Sequence, residues 1–353
     1  MTPHPAAPAA APAALARRAP ALKLVKTQSL SRAEWLDLRR GGVGSSDAAA
    51  AVGLNPYKSA LQLWMEKTGR EAALPQVDPN DDTSPMFWGT LLEPIVAAHY
   101  TRRTGNRIRR INAVLQHPTH PWMLANIDRE VVGSADVQIL ECKTAGYHGV
   151  RLWEEGVPEY VQLQVLHQLA VTGKQAADVA VLVCGQELRV HRIERDDAQI
   201  ADLIALEKAF WQHVEQDVAP QADGSDSADR ALRALWPRDS GKTLDFTGDL
   251  HLSAAFSDLV ALRQTLADTT ARKAQVEQMI QQQMGEASVA KFDAGEVRWK
   301  RSKDSTSLDV ERLLTEHPEL EAIDARQYSI TKPGSRRFTV KVSSAGDPSG
   351  EAP

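Results

Sequence analysis

Residues 124–143 read LANIDREVVGSADVQILECK, and this stretch decides the fold expected for the chain. Leu124–Val132 and Val137–Lys143 are rich in residues that favour β-strands. Between them, Gly133-Ser-Ala-Asp136 supplies the residue types that favour a turn. The stretch therefore predicts a β-hairpin.

Charged side chains on this hairpin are placed to share one site. Successive side chains of a strand point to opposite faces, so Glu141 and Lys143 are expected on one face. Leu140 and Cys142 then point to the apolar side. Asp128 lies in the preceding strand, where cross-strand pairing can bring its carboxylate close to that of Glu141. Hard oxygen ligands of this kind suit Mg²⁺, and they also accept Mn²⁺.

Helical and extended patterns surround the hairpin. The predicted helices cover 31–41, Ala48–Val52, Ser59–Thr68, Phe87–Tyr100, Tyr160–Val171 and Asp196–Gln216, and the further predicted strands cover Ile108–Leu115, Ala177–Cys184 and Leu188–Ile193. The first helix begins at a capping box formed by Ser31 and Glu34. The order of helices, strands, helix, strands and helix predicts a mixed α/β (α+β) core.

Composition shifts divide the chain into five parts. Residues 1–28 are Ala/Pro-rich and are expected to be a disordered tail, and 29–218 hold the predicted core. Residues 219–230 have few hydrophobic residues and are interpreted as a linker. Residues 231–342 are expected to form an accessory helical and β-hairpin region, and 343–353 a second disordered tail.

The accessory region contains a long helical pattern. Leu252–Met284 places Leu259, Leu262, Leu266, Met279 and Ile280 on one stripe, which is typical of core or coiled-coil packing. A hairpin-like Val289–Lys300, a short helix near Val310–Glu316 and a strand-like Arg336–Lys341 are predicted after it.

Composition and charge exclude several classes of protein. Among 353 residues, 42% are hydrophobic and 25% charged, and no apolar run is long enough to span a membrane. The two cysteines, Cys142 and Cys184, provide neither a disulfide framework nor a four-cysteine metal site, so we expect a cytoplasmic protein. A net charge of −5 argues against a protein that coats nucleic acid by bulk electrostatics, but it allows a local basic groove.

The hairpin residues fit the demands of phosphodiester hydrolysis. That reaction brings hydroxide to an anionic phosphorus, and a metal ion both lowers the pKa of a bound water and neutralises the phosphate. Asp128 and Glu141, with the backbone carbonyl of Cys142, are the predicted metal ligands, and Lys143 would orient the water or offset charge in the transition state. Glu93 and Gln164 are polar residues on the two flanking helices and could complete the same pocket.

The chain resembles the YqaJ-type viral recombinases, the lambda-exonuclease-like branch of the PD-(D/E)XK nucleases. The resemblance covers roughly residues 31–215 and rests on motifs in a fixed order: Trp35-x₃-Arg39, Gly42-Val-Gly-Ser-Ser-Asp-Ala48, Gly53-Leu-Asn-Pro-Tyr-Lys-Ser59, Leu63-Trp-x₂-Lys67-Thr-Gly69, Gly89-x₃-Glu93-Pro94, Ala125-Asn-Ile-Asp128, Leu140-Glu-Cys-Lys-Thr144 and Gln164-x₃-Gln168-Leu-Ala-Val-Thr-Gly173. It implies a restriction-endonuclease-like core, with a central mixed sheet flanked by helices, and a C-terminal helical and hairpin extension.

The resemblance also implies roles for individual residues. Asp128, Glu141 and Glu93 are implied as metal ligands, Lys143 as the catalytic lysine, and Gln164 and Glu93 as supporting site residues. Arg39 and Ser46 are implied as contacts to a DNA phosphate. Because Leu166 replaces the second glutamine of a common Gln-x-Gln form, only Gln164 is carried over as catalytic, and Gln162 and Gln168 are interpreted as surface or supporting residues. Asp136, in Gly-Ser-Ala-Asp, is interpreted as a turn former.

The activity that follows is a Mg²⁺-dependent deoxyribonuclease, an exonuclease acting on duplex ends in phage-type recombination. Double-stranded DNA is the expected substrate, a single-strand annealing protein the implied companion, and a homo-oligomer the form such exonucleases tend to take. The expected setting is the cytoplasm of a bacterial or phage-infected cell. Two alternatives stay open: an endonuclease with the same site, and a non-catalytic DNA-binding or assembly protein on a nuclease fold.

Overall fold

A computed structural model describes residues 20–26, 30–76, 78, 80–301 and 315. The chain divides into an N-terminal unit, Met1–Trp236, and a C-terminal unit, Pro237–Pro353. The helices are α1 Arg32–Arg40, α2 Ala48–Ala51, α3 Ala60–Lys67, α4 Pro85–Thr104, α5 Glu159–Thr172, α6 Asp197–Glu215, α7 Asp226–Leu235 and α8 Leu250–Met284. The strands are β1 Leu22–Lys26, β2 Val43–Gly44, β3 Arg107–Arg109, β4 Ala113–Gln116, β5 Met123–Ala125, β6 Arg129–Val132, β7 Ile139–Ala145, β8 Ala176–Val183, β9 Glu187–Glu194, β10 Val289–Phe292 and β11 Gly295–Arg298.

A five-stranded mixed sheet is the centre of the N-terminal unit. Its order is β3-β6-β7-β8-β9, with β7 and β8 parallel and the other pairs antiparallel. Helix α4 packs on one face, where Tyr100 and Leu140 are fully buried. Helix α5 packs on the other, where Ile139 and Leu169 are fully buried. The predicted mixed α/β core, with a central mixed sheet between helices, is confirmed.

A second sheet has four strands in the order β1-β4-β5-β2, with β2 and β5 parallel. Ala113 and Met123 of this sheet share a hydrophobic core with α5 and α6. Helix α5 is thus packed on both sheets. At this junction His167 is fully buried, with Nε2 2.9 Å from the carbonyl oxygen of Leu124 and Nδ1 2.7 Å from Oε1 of Glu207.

The central hairpin is confirmed, but two expected strands are each divided. Strands β6 and β7 pair antiparallel, with Arg129 opposite Leu140. The expected strand Leu124–Val132 is β5 in one sheet followed by β6 in the other, and Ile108–Leu115 is likewise β3 followed by β4. Each segment crosses between sheets, because its hydrogen-bonding partners change partway along. Asp128 lies at such a crossing, immediately before β6.

Capping residues and a glycine set the bounds of two helices that carry site residues, α1 and α4. The capping box of Ser31 and Glu34 is present, with the Ser31 hydroxyl accepting from the Glu34 amide and the Glu34 carboxylate accepting from the Ser31 amide. Helix α4 is longer than predicted, because Ser84 caps its start and Pro85 occupies the first turn, where proline costs no hydrogen bond. It ends at Gly105, whose φ of 75° is a left-handed conformation that glycine adopts readily.

The boundary between the units lies later than the sequence indicates. Half of the expected linker 219–230 belongs to α7, which Ser225 caps. Ser227 is buried and donates a hydrogen bond to Gln62 of α3, and Ala231 is buried in the core that α3 helps to form. Small apolar residues that recur every three or four positions of α7 pack there despite the low overall hydrophobicity, so the N-terminal unit extends to Trp236.

The C-terminal unit contains the 35-residue helix α8, followed by the antiparallel hairpin of β10 and β11. Both were predicted. The predicted disordered tail 1–28 lies partly outside the described residues, and its last part is wrong, because Leu22–Lys26 forms β1 and pairs with β4. The predictions of a tail at 343–353, of a helix near Val310–Glu316 and of a strand-like Arg336–Lys341 fall largely or wholly outside the described residues, although Thr315 itself is helical. In the part of the chain that the structure describes, no helix combines the length and the apolarity needed to cross a membrane.

Candidate active site

Asp128 and Glu141 face each other at the start of the central hairpin. The pairing of Arg129 with Leu140, continued by one residue, places Asp128 opposite Glu141. The backbone N–H of Cys142 donates to Oδ2 of Asp128 at 2.8 Å, which fixes the carboxylate in this position. The cross-strand placement predicted for the two carboxylates is thus present, although Asp128 precedes its strand.

Glu141, Lys143 and Gln164 form one hydrogen-bonded cluster. Oε1 of Glu141 accepts from Nζ of Lys143 at 2.7 Å and from Nε2 of Gln164 at 2.6 Å. Nζ of Lys143 also donates to Oε1 of Gln164 at 2.9 Å. Glu141 and Lys143 point to the α5 face of the sheet, whereas Leu140 and Cys142 pack on the α4 face, as the alternation of the strand predicts.

Gln168, interpreted from the sequence as a surface or supporting residue, supports Glu141 directly. Its side chain is fully buried, and its Nε2 donates to the second carboxylate oxygen of Glu141 at 2.8 Å. It lies four residues after Gln164, so helical periodicity puts both amides on one face of α5. Gln162, in contrast, is exposed and donates to the carbonyl oxygen of Val157, which agrees with its interpretation as a surface residue.

With both carboxylates ionised, Asp128 and Glu141 carry two negative charges beside the single positive charge of Lys143. Burial and the nearby Glu141 carboxylate raise the pKa of Asp128 above its ordinary value. Burial opposes the charged form of Lys143, but the Glu141 carboxylate outweighs it and raises the pKa of this lysine. Burial and Asp128 also raise the pKa of the Cys142 thiol, so its sulfur stays protonated and is a poor ligand. The site therefore favours binding of a cation by oxygen atoms.

Glu93 lies beside this cluster rather than within it. Its Oε1 accepts from Nη1 of Arg129 at 2.5 Å and from Nη2 of Arg110 at 3.2 Å. The same Arg129 group donates to the carbonyl oxygen of Asp128. Glu93 thus reaches the Asp128 segment through Arg129, and its negative charge adds to the factors that raise the pKa of Asp128.

A second charged cluster contains Arg39 and Ser46, the two residues expected to contact phosphate. Nη2 of Arg39 donates to Oγ of Ser46 at 3.0 Å and to the Asp47 carboxylate at 2.9 Å. Asp47 is buried and also accepts from Nζ of the buried Lys67 at 2.7 Å. Burial opposes ionisation of Asp47, but Arg39 and Lys67 together hold its pKa well below its usual range. One carboxylate therefore faces two cations.

A cavity of about 160 Å³ is lined by residues of both clusters. Arg39 and Ser46 line it, as do Asp128 and Gln164. Trp35 adds an aromatic wall and stacks on the Arg39 guanidinium, with 4.8 Å between the guanidinium carbon and the ring centroid. The cavity thus has a positively charged end and a negatively charged end.

The residues at the negative end fit a divalent cation. Asp128 and Glu141 are two hard oxygen donors held against mutual repulsion, and Oε1 of Gln168 is buried there without a hydrogen-bond partner. Among the described residues, no three Asp, Glu, His or Cys side chains gather closely enough to form a complete ligand set. A bound ion would therefore draw on Asp128, Glu141 and the Cys142 carbonyl, with water or substrate oxygens completing its coordination.

Comparisons with known proteins agree with the motifs. The family model of the YqaJ-like viral recombinase domain matches residues 34–175. The uncharacterized protein YqaJ of Bacillus subtilis (strain 168) is 32% identical over 302 residues, which cover 84% of this chain and 92% of that protein.

Two solved structures are similar to part of the chain. The alkaline exonuclease LHK-Exo of Laribacter hongkongensis is 25% identical, with a TM-score of 0.44 over 53% of this chain and 94% of that one. A phage-related exonuclease of Haemophilus somnus 129PT is 12% identical, with a TM-score of 0.35 over 50% of this chain and 95% of that one.

Proposed function

The chain belongs to the YqaJ-like viral recombinase family, and on that premise we propose that it is a metal-dependent deoxyribonuclease that acts from duplex ends. The observation that carries the proposal is the facing pair of carboxylates: the half-buried Asp128, which accepts from the Cys142 amide, and the buried Glu141, which accepts from a lysine and two glutamines. A non-catalytic binding protein has no need to keep two like charges together, since their repulsion lowers stability. This argues for an enzyme.

Each side chain of the cluster has a defined task in the proposed hydrolysis. A divalent ion, when bound, supplies an acidified water and neutralises the phosphate charge. Gln164 and Gln168 hold both oxygens of Glu141, so this carboxylate keeps one orientation. Lys143 stays protonated and offsets the charge that develops on the phosphate oxygens.

The positive end of the cavity supports the choice of duplex ends over internal sites. Arg39 presents a guanidinium beside the Ser46 hydroxyl, a pair suited to a phosphate oxygen. Asp47, which Lys67 also contacts, holds the Arg39 guanidinium in place. Arg39 and Ser46 line the same cavity as Asp128. A terminal 5′-phosphate bound there would lie beside the carboxylates. An endonuclease with the same site is the second candidate.

The proposed biological setting follows from this chemistry. The enzyme would resect double-stranded DNA during phage-type recombination, in the cytoplasm of a bacterial or phage-infected cell. The strand that it exposes would be the substrate of a single-strand annealing protein. Mg²⁺ is the proposed ion, and Mn²⁺ would replace it, because both prefer oxygen ligands.

The test uses purified full-length protein with Mg²⁺ and three DNAs: linear duplex with 5′-phosphates, the same duplex without them, and covalently closed circles. We expect degradation of the phosphorylated duplex, slower degradation of the other linear DNA, persistence of circles, and complete inhibition by EDTA. Glu141→Gln should lower the rate by at least about a thousandfold, because it removes a ligand charge.

The matched control is Asp136→Asn, which removes an exposed carboxylate from the turn of the same hairpin and should leave the rate unchanged. Rapid loss of circular DNA would favour the endonuclease. Cleavage that survives EDTA, or that Glu141→Gln does not slow, would remove the metal-dependent site from consideration.

A further inference from the structure

Tyr57 presents an exposed aromatic ring from the loop between α2 and α3, and this residue is 61% exposed. The loop is held in place by its own polar groups. The side chain of Asn55 accepts from the backbone N–H of Tyr57 at 2.8 Å and from that of Lys58 at 3.0 Å. Nζ of Lys58 forms an ion pair with Oε2 of Glu66 on α3 at 2.7 Å. The backbone around the exposed ring is therefore fixed.

Tyr160 of α5 packs against the Tyr57 ring. The two ring centroids are 5.7 Å apart and the ring planes meet at 88°, which is an edge-to-face contact. Tyr160 is half-buried and packs on the hydrophobic core between α5 and the central sheet. An edge-to-face contact covers at most one face of each ring. Because Tyr57 is mostly exposed, its other face is open to solvent.

The two tyrosines lie beside the candidate active site. Tyr160 precedes Gln164 by four residues, so both side chains lie on one face of α5. Gln164 lines the cavity and donates to Glu141. Burial raises the pKa of the Tyr160 hydroxyl, the neighbouring Tyr57 adds to this shift, and the Lys143 ammonium opposes it. Lys143 is thus close enough to act on Tyr160 electrostatically.

The charged groups of the site suit the phosphates of a DNA strand, whereas Tyr57 suits a base. The Arg39 guanidinium and the Lys143 ammonium can each pair with phosphate oxygens. Trp35 also lines the cavity, but its ring carries the Arg39 guanidinium, 4.8 Å from the ring centroid. Aromatic side chains bind any nucleobase by stacking, because every base has a flat π-face. Tyrosine loses little conformational entropy in such a contact, since it has few rotatable bonds.

We propose that Tyr57 stacks on a nucleobase of the DNA strand that is cut, near its 5′ end, and that Tyr160 holds the Tyr57 ring in place. The inference rests on the proposed function, because it takes a DNA strand as the ligand of the cavity. The contact adds affinity without reading the base sequence. It thereby holds the strand by a base, in addition to the phosphate contacts of Arg39 and Ser46.

The first experiment measures DNA binding by the full chain apart from cleavage. Fluorescence anisotropy gives the Kd for a labelled duplex with 5′-phosphates, with Ca²⁺ in place of Mg²⁺, and gels verify that the DNA stays intact. We expect Tyr57→Ala to raise the Kd by about 5–100-fold, because stacking on one base is lost. Tyr57→Phe keeps the ring and should stay within about twofold of the natural chain. The control Leu54→Ala shortens another exposed side chain of this loop and should leave the Kd unchanged.

Duplexes that lack a single base identify the stacked position. An abasic nucleotide is placed in turn at each of the first four positions of the 5′-phosphorylated strand. At one position, loss of the base should weaken binding by the natural chain about as much as Tyr57→Ala does. The same abasic duplex should bind Tyr57→Ala no more weakly than the intact duplex does, because residue and base make one contact. A general disturbance of the loop would not remove this dependence on the base.

Steady-state kinetics with Mg²⁺ separate this inference from the proposed function. Tyr57→Ala should raise the KM by a factor similar to its effect on the Kd, with a much smaller change in kcat. A natural chain that binds DNA without cutting it would overturn the proposed function, and the binding comparison would still decide the role of Tyr57. Equal Kd values for the natural chain and Tyr57→Ala overturn the inference alone, and so do abasic effects that persist in the variant at every position. A natural chain that does not bind DNA overturns both.

Discussion

One aspartate lies near each end of the active-site cavity, the buried Asp47 and the half-buried Asp128, and their pKa values shift in opposite directions. Asp47 faces Arg39 and Lys67, so its pKa lies far below the usual range. Burial and the facing Glu141 carboxylate hold the pKa of Asp128 above the usual range. Both environments remove water from a carboxylate, and the sign of the neighbouring charge decides the outcome.

The charges of the Asp47 cluster are balanced by the protein itself, whereas the Asp128 site is suited to binding an added cation. At the Asp47 end, the protein supplies the cations that its carboxylate requires, and a surplus of positive charge remains for an anion. At the Asp128 end, Lys143 pairs with Glu141 beside Asp128. Ionisation of both carboxylates leaves a net negative charge that a bound cation would neutralise. Stability should therefore depend on the first aspartate, and activity on the second.

The largest expected effect is on folding, at Asp47. Asp47→Asn leaves Lys67 buried without a counter-ion and releases Arg39, so we expect a loss of about 3–5 kcal/mol in the free energy of unfolding, measured by urea denaturation. Asp37→Asn is the control, because its ion pair with Arg40 is exposed and should contribute no more than about 1 kcal/mol. If both variants unfold at similar urea concentrations, the Asp47 cluster is not the structural end of the cavity.

A smaller effect is expected at Gln168, which orients Glu141. Gln168→Leu removes one hydrogen bond to that carboxylate together with a buried oxygen that has no partner, so the protein should stay folded. We expect activity to fall by about 10–100-fold, with more Mg²⁺ needed for half-maximal rate. Gln162→Leu changes an exposed glutamine of the same helix and should alter neither quantity. If Gln168→Leu left the Mg²⁺ requirement unchanged, Gln168 would contribute to packing and not to the orientation of Glu141.

The smallest effect concerns stability in the absence of metal, at Asp128. Its raised pKa means that the folded protein holds a proton more tightly than the unfolded chain, so wild-type stability falls as the pH rises above about 4, the ordinary value for aspartate. Asp128→Asn removes this penalty.

In EDTA, thermal melts should show the Asp128→Asn variant gaining on the wild type as the pH increases, by at least about 1 kcal/mol near neutral pH. Its loss of activity would accompany this gain. The comparison between the two ends fails if Asp128→Asn is instead destabilising at all pH values, because the carboxylate would then behave as Asp47 does.

The sequence was sufficient for those parts of the site that depend on local periodicity. Alternation along one strand placed Glu141 and Lys143 together, and helical spacing placed Gln164 on the facing helix. The same helical spacing applies to Gln168, which the likeness to a Gln-x-Gln pattern left as a surface or supporting residue.

Features that depend on distant pairings were not accessible from the sequence. The residues of Leu124–Val132 favour strands almost throughout, and nothing local indicates that the chain changes sheets at Asn126. The ion pair between Asp47 and Lys67 joins different helical segments, so neither residue reveals its partner. The first half of α7 falls within the segment interpreted as a linker, because its buried face consists of serine and alanine, which contribute little to average hydrophobicity.

The crossing between the two sheets gives the cavity a fixed length. Strand β2, which leads into Ser46, pairs with β5, and Asn126 and Ile127 alone separate β5 from Asp128. The pairing of β2 with β5 and this two-residue peptide together set the distance between the phosphate end and the carboxylate end, and one residue inserted in the peptide could lengthen it by up to about 3.5 Å. In the proposed reaction the length of this short peptide would set how far from an anchored DNA end the DNA strand is cut, and hence the size of every fragment released.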